Sequence, residues 1–158
     1  MKPTVYVETT IISYLVGWLN RGSVHVAANQ ELTREWWSTR RHNFELYAST
    51  AVADELSRGV AALATERLTY LNDVHLFEVT ADVRKLAAEL LTRTRIPRKA
   101  EIDAVHIAVA AVNGMDYLLT WNCTHMANAV ILPTVYDVCR SNGYEPPFIC
   151  TPHELTEA

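Results

Sequence analysis

Several large classes of function find no support in what the sequence lacks. Its three cysteines, Cys123, Cys139 and Cys150, are odd in number and match no zinc or CxxC spacing, so they read as ordinary reduced thiols. There is no Gly-rich phosphate loop, no GxSxG elbow and no HExxH pair, which leaves nucleotide-binding folds and serine or zinc hydrolases without support. No N-terminal apolar run is long enough to span a bilayer, and Met1-Lys2-Pro3 leads straight into a β-prone run, so a cytoplasmic protein with no membrane role is expected. Repeats, low-complexity tracts and Gly/Ser-rich linkers are missing too, and the 158 residues are read as one domain, 1–158. The net charge is only -4, which excludes the whole surface as a nucleic-acid footprint but leaves room for a local basic patch.

What is present suits a soluble globular chain: 49% apolar and 20% charged residues, enough for a hydrophobic core without disulfides or structural metals. The run Thr4-Val5-Tyr6-Val7 predicts a strand that breaks at Glu8-Thr9-Thr10 into a helix reaching about Leu19. Ser23 to Arg41 predicts a helix with Val24, Ala27, Ala28, Leu32, Trp36 and Trp37 inward. Phe44 to Ala48 reads as a strand, followed by a helix over Ala51 to Leu56 and another over Val60 to Leu71. A strand around Leu76 to Val79 precedes a helix from Ala81 to Thr92 with Thr80 as its cap. Ile102 to Val112 is apolar on nearly every side, as suits a helix packed between other elements, and Gly114 stops it before the strand Tyr117 to Trp121. A helix over Thr134 to Asn142 and a strand over Phe148 to Cys150 complete the order β, α, α, β, α, α, β, α, α, β, α, β. Such alternation predicts an α/β fold with a mainly parallel sheet between helical layers.

Polar residues interrupt this pattern at comparable places. Glu8 follows the first strand, where parallel α/β sheets usually place their chemistry; the plain alternative is that it complements a helix dipole while Thr9 or Thr10 caps the helix. Glu55 lies one turn into the helix after the second strand, where a surface salt-bridging acid is the other reading. Asp103 is set into the apolar helix, a costly position for a carboxylate without a partner. His106, one turn on, is either a hydrogen-bonded core histidine or a residue supporting the site. Asn122 ends the fourth strand, and Asp54 and Glu101 are adjacent alternates. Asp116 opens that strand and is expected on the opposite edge of the sheet. Converging carboxylates would repel one another without a cation, and an oxygen-rich set suits Mg²⁺ or Mn²⁺, which points to phosphodiester hydrolysis. The loop RTRIPRK adds Arg93, Arg95, Arg98 and Lys99 just before Asp103, either a solvated loop or a contact for RNA phosphates.

VYVETTIISYL, VADELSRG and EIDAVHIAVAAVNGMDYLLTWN together resemble, in order and spacing, the motifs of PIN-domain proteins, particularly the toxins of VapBC-type toxin-antitoxin pairs. The resemblance implies a three-layer α/β/α sandwich around a mainly parallel sheet of four to five strands. It also implies Mg²⁺- or Mn²⁺-dependent ribonuclease activity, a homodimer, and a small antitoxin protein as partner. By resemblance Glu8 stands at the first metal-binding acid, Thr10 at the hydroxyl or amide beside it, Glu55 at the second acid, Asp103 at the third, and Asn122 at the fourth position. Two departures stand out: Glu8 replaces the usual aspartate, and Asn122 replaces a position that is often acidic, from which one-metal occupancy is expected. The competing expectations are a PIN-like protein that binds RNA or a protein partner without cleavage, and an unrelated α/β hydrolase of small phosphate esters.

Overall fold

Val5, Tyr6 and Val7 are fully buried, as a central strand covered on both faces must be. In the computed structural model, which describes residues 1–156, they belong to β1 (Thr4–Val7), the middle strand of a five-stranded sheet. The others are β2 (Glu45–Ser49), β3 (His75–Phe77), β4 (Tyr117–Leu119) and β5 (Phe148–Cys150), in the order β3-β2-β1-β4-β5, every neighbouring pair parallel. Among the described residues the helices are α1 (Thr9–Leu15), α2 (Val24–Thr39), α3 (Thr50–Leu56), α4 (Ala61–Thr69), α5 (Ala81–Arg93), α6 (Glu101–Val112) and α7 (Leu132–Ser141). The expected α/β/α sandwich is the observed architecture. Helices α1 to α4 pack among themselves, as do α5, α6 and α7, and the two groups meet where α3 touches α6. Right-handed crossovers account for this division: the chain moves one way across the sheet from β1 to β3, then jumps back over β1 to β4. The gap between β1 and β4 is therefore the topological switch point, where parallel sheets open a crevice at their carboxyl edge.

Helix α6 is the densest part of the core. Ala104 and every residue from His106 to Ala111 are buried, and the alanines let it sit close to the sheet and to α5. Gly114, at φ 67°, ends it: Gly114 N–H donates to Ala111 O and Met115 N–H to Ala110 O, the paired bonds of a left-handed helix stop that glycine adopts without strain. At the amino edge of the sheet a reciprocal clasp joins β1 to β4. Asp116 Oδ2 accepts from Thr4 N–H at 2.8 Å and from Thr4 Oγ1–H at 3.1 Å, while Thr4 Oγ1 accepts from Asp116 N–H at 2.9 Å. Asp116 thus lies on the edge away from Glu8, where the sequence places it.

Two expectations from periodicity need correction. The first helix stops at Leu15 rather than near Leu19, because Val16 is already extended and Gly17 turns the chain. The inward face of α2 is Gln30, Thr33, Trp36 and Trp37, whereas Val24 is 83% exposed and Ala28 lies outside. Hydrogen bonding decides that face. Gln30 Oε1 accepts from Asn20 N–H, Thr33 Oγ1 accepts from Trp121 Nε1–H at 2.6 Å, and Trp36 Nε1–H donates to Leu155 O at 2.6 Å. No helix among the described residues is long and apolar enough to cross a membrane.

Candidate functional site

Strand β1 ends at Val7, so Glu8 emerges into the crevice between β1 and β4, where its backbone N–H still bonds Leu119 O at 3.1 Å. Glu8 is the N-cap residue of α1 but its side chain caps nothing, and Thr9 and Thr10 lie inside the helix with their hydroxyls turned elsewhere. The Glu8 carboxylate, only 3% exposed, uses one oxygen to accept from Thr10 Oγ1–H and Thr120 Oγ1–H, both at 2.6 Å. Those threonines are held in turn: Thr10 Oγ1 accepts from Trp121 N–H and Thr120 Oγ1 from Asn122 N–H, both at 2.9 Å. Burial raises the Glu8 carboxyl above its ordinary pKa; His106 and the two hydroxyls only partly oppose it.

Glu55 arrives from α3, whose start is fixed by Ser49 Oγ accepting from Val52 N–H. Its Oε1 accepts from Thr9 Oγ1–H at 2.6 Å and lies 2.5 Å from His106 Nε2. Burial would raise this carboxyl, but the His106 hydrogen bond and charge, the Thr9 hydroxyl and the Arg58 charge together hold it below the ordinary range. His106 is fully buried, and its other nitrogen, Nδ1, lies 2.7 Å from Tyr6 Oη, itself 2.7 Å from Ser49 Oγ. The Tyr6 phenol is pushed well above its ordinary pKa by burial and remains neutral. Ligand atoms of Glu8, Glu55 and His106 all lie within 4.8 Å of one another.

Asp103 is on the same helix as His106 but is engaged differently: its Oδ2 lies 3.0 Å from His125 Nδ1. Asn122 does not point its amide oxygen at the acids. Oδ1 accepts from Thr124 N–H at 3.2 Å and His125 N–H at 2.9 Å, so Asn122 forms the turn that delivers His125 to Asp103. Asp54 and Glu101 are exposed, and Asp54 lines a shallow cleft with Thr50, Arg58, Arg84 and Ile102 beside the site. Of the basic loop, Arg93 bonds Ser141 Oγ at 2.9 Å at the end of α7, toward the amino edge of the sheet, and pairs with Glu89. Arg95, Arg98 and Lys99 are exposed, and Arg98 and Lys99 lie in the short turn leading into α6.

The structure thus brings Glu8, Thr10, Glu55 and His106 together, with Asp103 and Asn122 joined to each other through His125. Three contributors were not singled out in the sequence. Thr120 had a readable signal, a hydroxyl at the carboxyl end of a buried strand. Tyr6 and His125 had none, because Tyr6 meets His106 across 100 positions and His125 meets Asp103 across 22.

The sequence profile described as the PIN domain matches residues 5–122. No curated protein sequence gives a significant match. Among solved structures, VapC20 of Mycobacterium tuberculosis, a sarcin-ricin loop cleaving toxin, is similar over 77% of this chain and 92% of its own, at 20% identity and a TM-score of 0.59. VapBC2 of Rickettsia felis, bound to a DNA fragment from its promoter, is similar over 94% of this chain and 98% of that chain, at 16% identity and a TM-score of 0.51. At these identities the likeness is one of fold.

Proposed function

From its membership of the PIN domain family, to which this chain belongs, we propose that the protein is a divalent-metal-dependent ribonuclease, the toxin of a toxin-antitoxin pair. One observation carries the reading: a carboxylate as buried as Glu8 sits at the sheet's switch point, facing Glu55, with its pKa raised by that burial. Such a site is unfavourable by itself and becomes favourable around a cation. The residues fit Mg²⁺ or Mn²⁺ through Glu8 and Glu55, with Asp103 at the mouth. When bound, the cation neutralises charge on the scissile phosphate and acidifies the attacking water. Thr10 and Thr120 fix the Glu8 carboxylate, so its extra methylene relative to aspartate does not leave it loose. Asn122 and His125 set the direction of Asp103, and Arg95, Arg98 and Lys99 supply phosphate contacts beside α6. The fold neighbour VapBC2 supports a small antitoxin as the partner, and the assembly we propose is a homodimer.

A second reading is favoured by the internal pairing of Glu55 with His106 and of Asp103 with His125: the acids are partnered without a cation, as in a protein that binds RNA or a protein without cutting it. Single-stranded and structured RNAs incubated with Mn²⁺, beside an Asp103→Asn variant, separate the two. EDTA-sensitive cleavage that falls sharply in the variant supports the nuclease. Salt-dependent RNA binding without cleavage supports the alternative, and cleavage unchanged in the variant refutes the role given to Asp103.

A further inference from the structure

An imidazole buried among the acids changes what the site can hold. His106 is fully buried, shares a 2.5 Å contact with Glu55, and belongs to the same 4.8 Å group as Glu8. Asp103 lies outside that group and is engaged by His125. We infer that His106 Nε2 binds the cation directly, beside Glu8 and Glu55, so that the centre is a two-carboxylate, one-histidine site that takes a transition ion such as Mn²⁺ in preference to Mg²⁺. This rests on the metal-dependent reading above and deepens it.

Chemistry on both sides of the imidazole supports the assignment. Metal-bound histidines have the second ring nitrogen fixed by a hydrogen bond, which sets tautomer and ring direction. Here Nδ1 is fixed by Tyr6 Oη at 2.7 Å, and Tyr6 by Ser49 Oγ at 2.7 Å. This two-hydroxyl chain runs in either direction. With Nε2–H donating to Glu55, Ser49 donates to Tyr6 and Tyr6 to Nδ1. With the proton on Nδ1 instead, Nδ1–H donates to Tyr6, Tyr6 donates to Ser49, and Nε2 presents its lone pair to the group of acids. The imidazole is neutral in both arrangements, so no proton is gained or lost. The second arrangement gives up the Nε2–H bond to Glu55 and leaves the Ser49 hydroxyl hydrogen without Tyr6 as its acceptor, losses that a cation held between Nε2 and the two carboxylates would offset. Glu8 keeps its direction throughout, because the two threonines hold one oxygen and leave the other outside those bonds. A nitrogen donor favours first-row transition ions, whereas Mg²⁺ favours an all-oxygen shell and retains its waters.

The test uses the full-length protein with Mn²⁺ alone. Calorimetry measures binding of Mn²⁺ and of Mg²⁺, and pulsed electron paramagnetic resonance reads nitrogen coupling to Mn²⁺ in protein made with ¹⁴N- or ¹⁵N-histidine. Expected are bound Mn²⁺ with a nitrogen signal that changes with the isotope, persists in His125→Asn and disappears in His106→Asn, where the ratio of Mn²⁺ to Mg²⁺ affinity falls about tenfold or more. If His106→Asn does not fold, wild type and His125→Asn decide the matter, since the other four of the six histidines (His25, His42, His75 and His153) lie outside this group. Mn²⁺ bound without histidine coupling overturns the inference and leaves the metal-dependent reading standing. Coupling lost in His125→Asn overturns it in favour of the Asp103 pair. Absence of Mn²⁺ binding overturns both.

Discussion

Replacing Glu8 with glutamine is expected to stabilise the cation-free protein while destroying its use for a cation. The substitution keeps an oxygen acceptor for Thr10 and Thr120 but removes the charge from a side chain that is 3% exposed. Two charge-assisted hydroxyl bonds become neutral ones, a loss of about 1 kcal/mol each. Against this, an ionised carboxylate taken out of water costs several kcal/mol even after relaxation. Burial is the largest influence on this carboxyl and outweighs its favourable contacts, since the pKa ends above its ordinary value. The net gain is then about 1–3 kcal/mol, or roughly 3–9 °C in Tm for a chain of this length. The sign with pH follows from the direction of the shift. With the folded pKa raised above the unfolded one, the native state holds the extra proton between the two values, so wild type loses stability as pH rises through that window. Glu8→Gln has no such loss; its advantage is absent in acid, grows across the window and is constant above it. Mn²⁺ at a hundred times its Kd should return about 2.7 kcal/mol to wild type and little to the variant. Thermal and urea unfolding followed by circular dichroism in EDTA, repeated across pH, measures this. A variant less stable than wild type at neutral pH, or a difference that ignores pH, would refute the reasoning.

Tyr6→Phe removes the hydroxyl that bridges Ser49 and His106 and leaves both without that partner, so urea unfolding should show a loss of about 1–3 kcal/mol at unchanged m. His125→Ala, at a site where the histidine side chain is 26% and Asp103 15% exposed, should alter stability by less than about 1 kcal/mol, yet lower RNA cleavage about 10–100-fold by releasing Asp103; equal rates in the two proteins would exclude a role for the pair. Gly114→Ala places a Cβ in open space at φ 67°, so it should cost about 1–2 kcal/mol of backbone strain and leave cleavage unchanged, as calorimetric unfolding beside a nuclease assay would show.

The order of elements was legible because β1, α6 and β4 are largely buried and read as apolar runs between clear stops. The face of α2 was not legible. Two of its four buried residues, Gln30 and Thr33, are polar, and what buries them is bonding to Asn20 and Trp121, which hydropathy does not record. At the site, position relative to strand ends drew attention to Glu8 and Glu55, but only their expected convergence across the sheet and the resemblance set them above a helix-dipole acid and a surface salt-bridging one. The pairing of Asp103 with His125 was hidden because it depends on the turn that Asn122 makes after β4, and a turn of that kind is read from atoms rather than from composition. For the same reason Asn122 was read as a member of the cluster, whereas its side chain is spent on backbone amides.

The clasp between Thr4 and Asp116 works as a ruler. Counting four residues along each strand from it, Thr4 to Glu8 and Asp116 to Thr120, gives the two side chains that meet at the opposite edge, about 13 Å away at the rise of a β-strand. A slip of one residue between these strands would turn one of the two side chains to the other face of the sheet. The carboxylate would then lose a hydroxyl and the hydroxyl its acid. An insertion in either strand, far from any reacting group, should therefore silence the centre as thoroughly as losing a ligand, and the two ends of the sheet are expected to tolerate change in length only together.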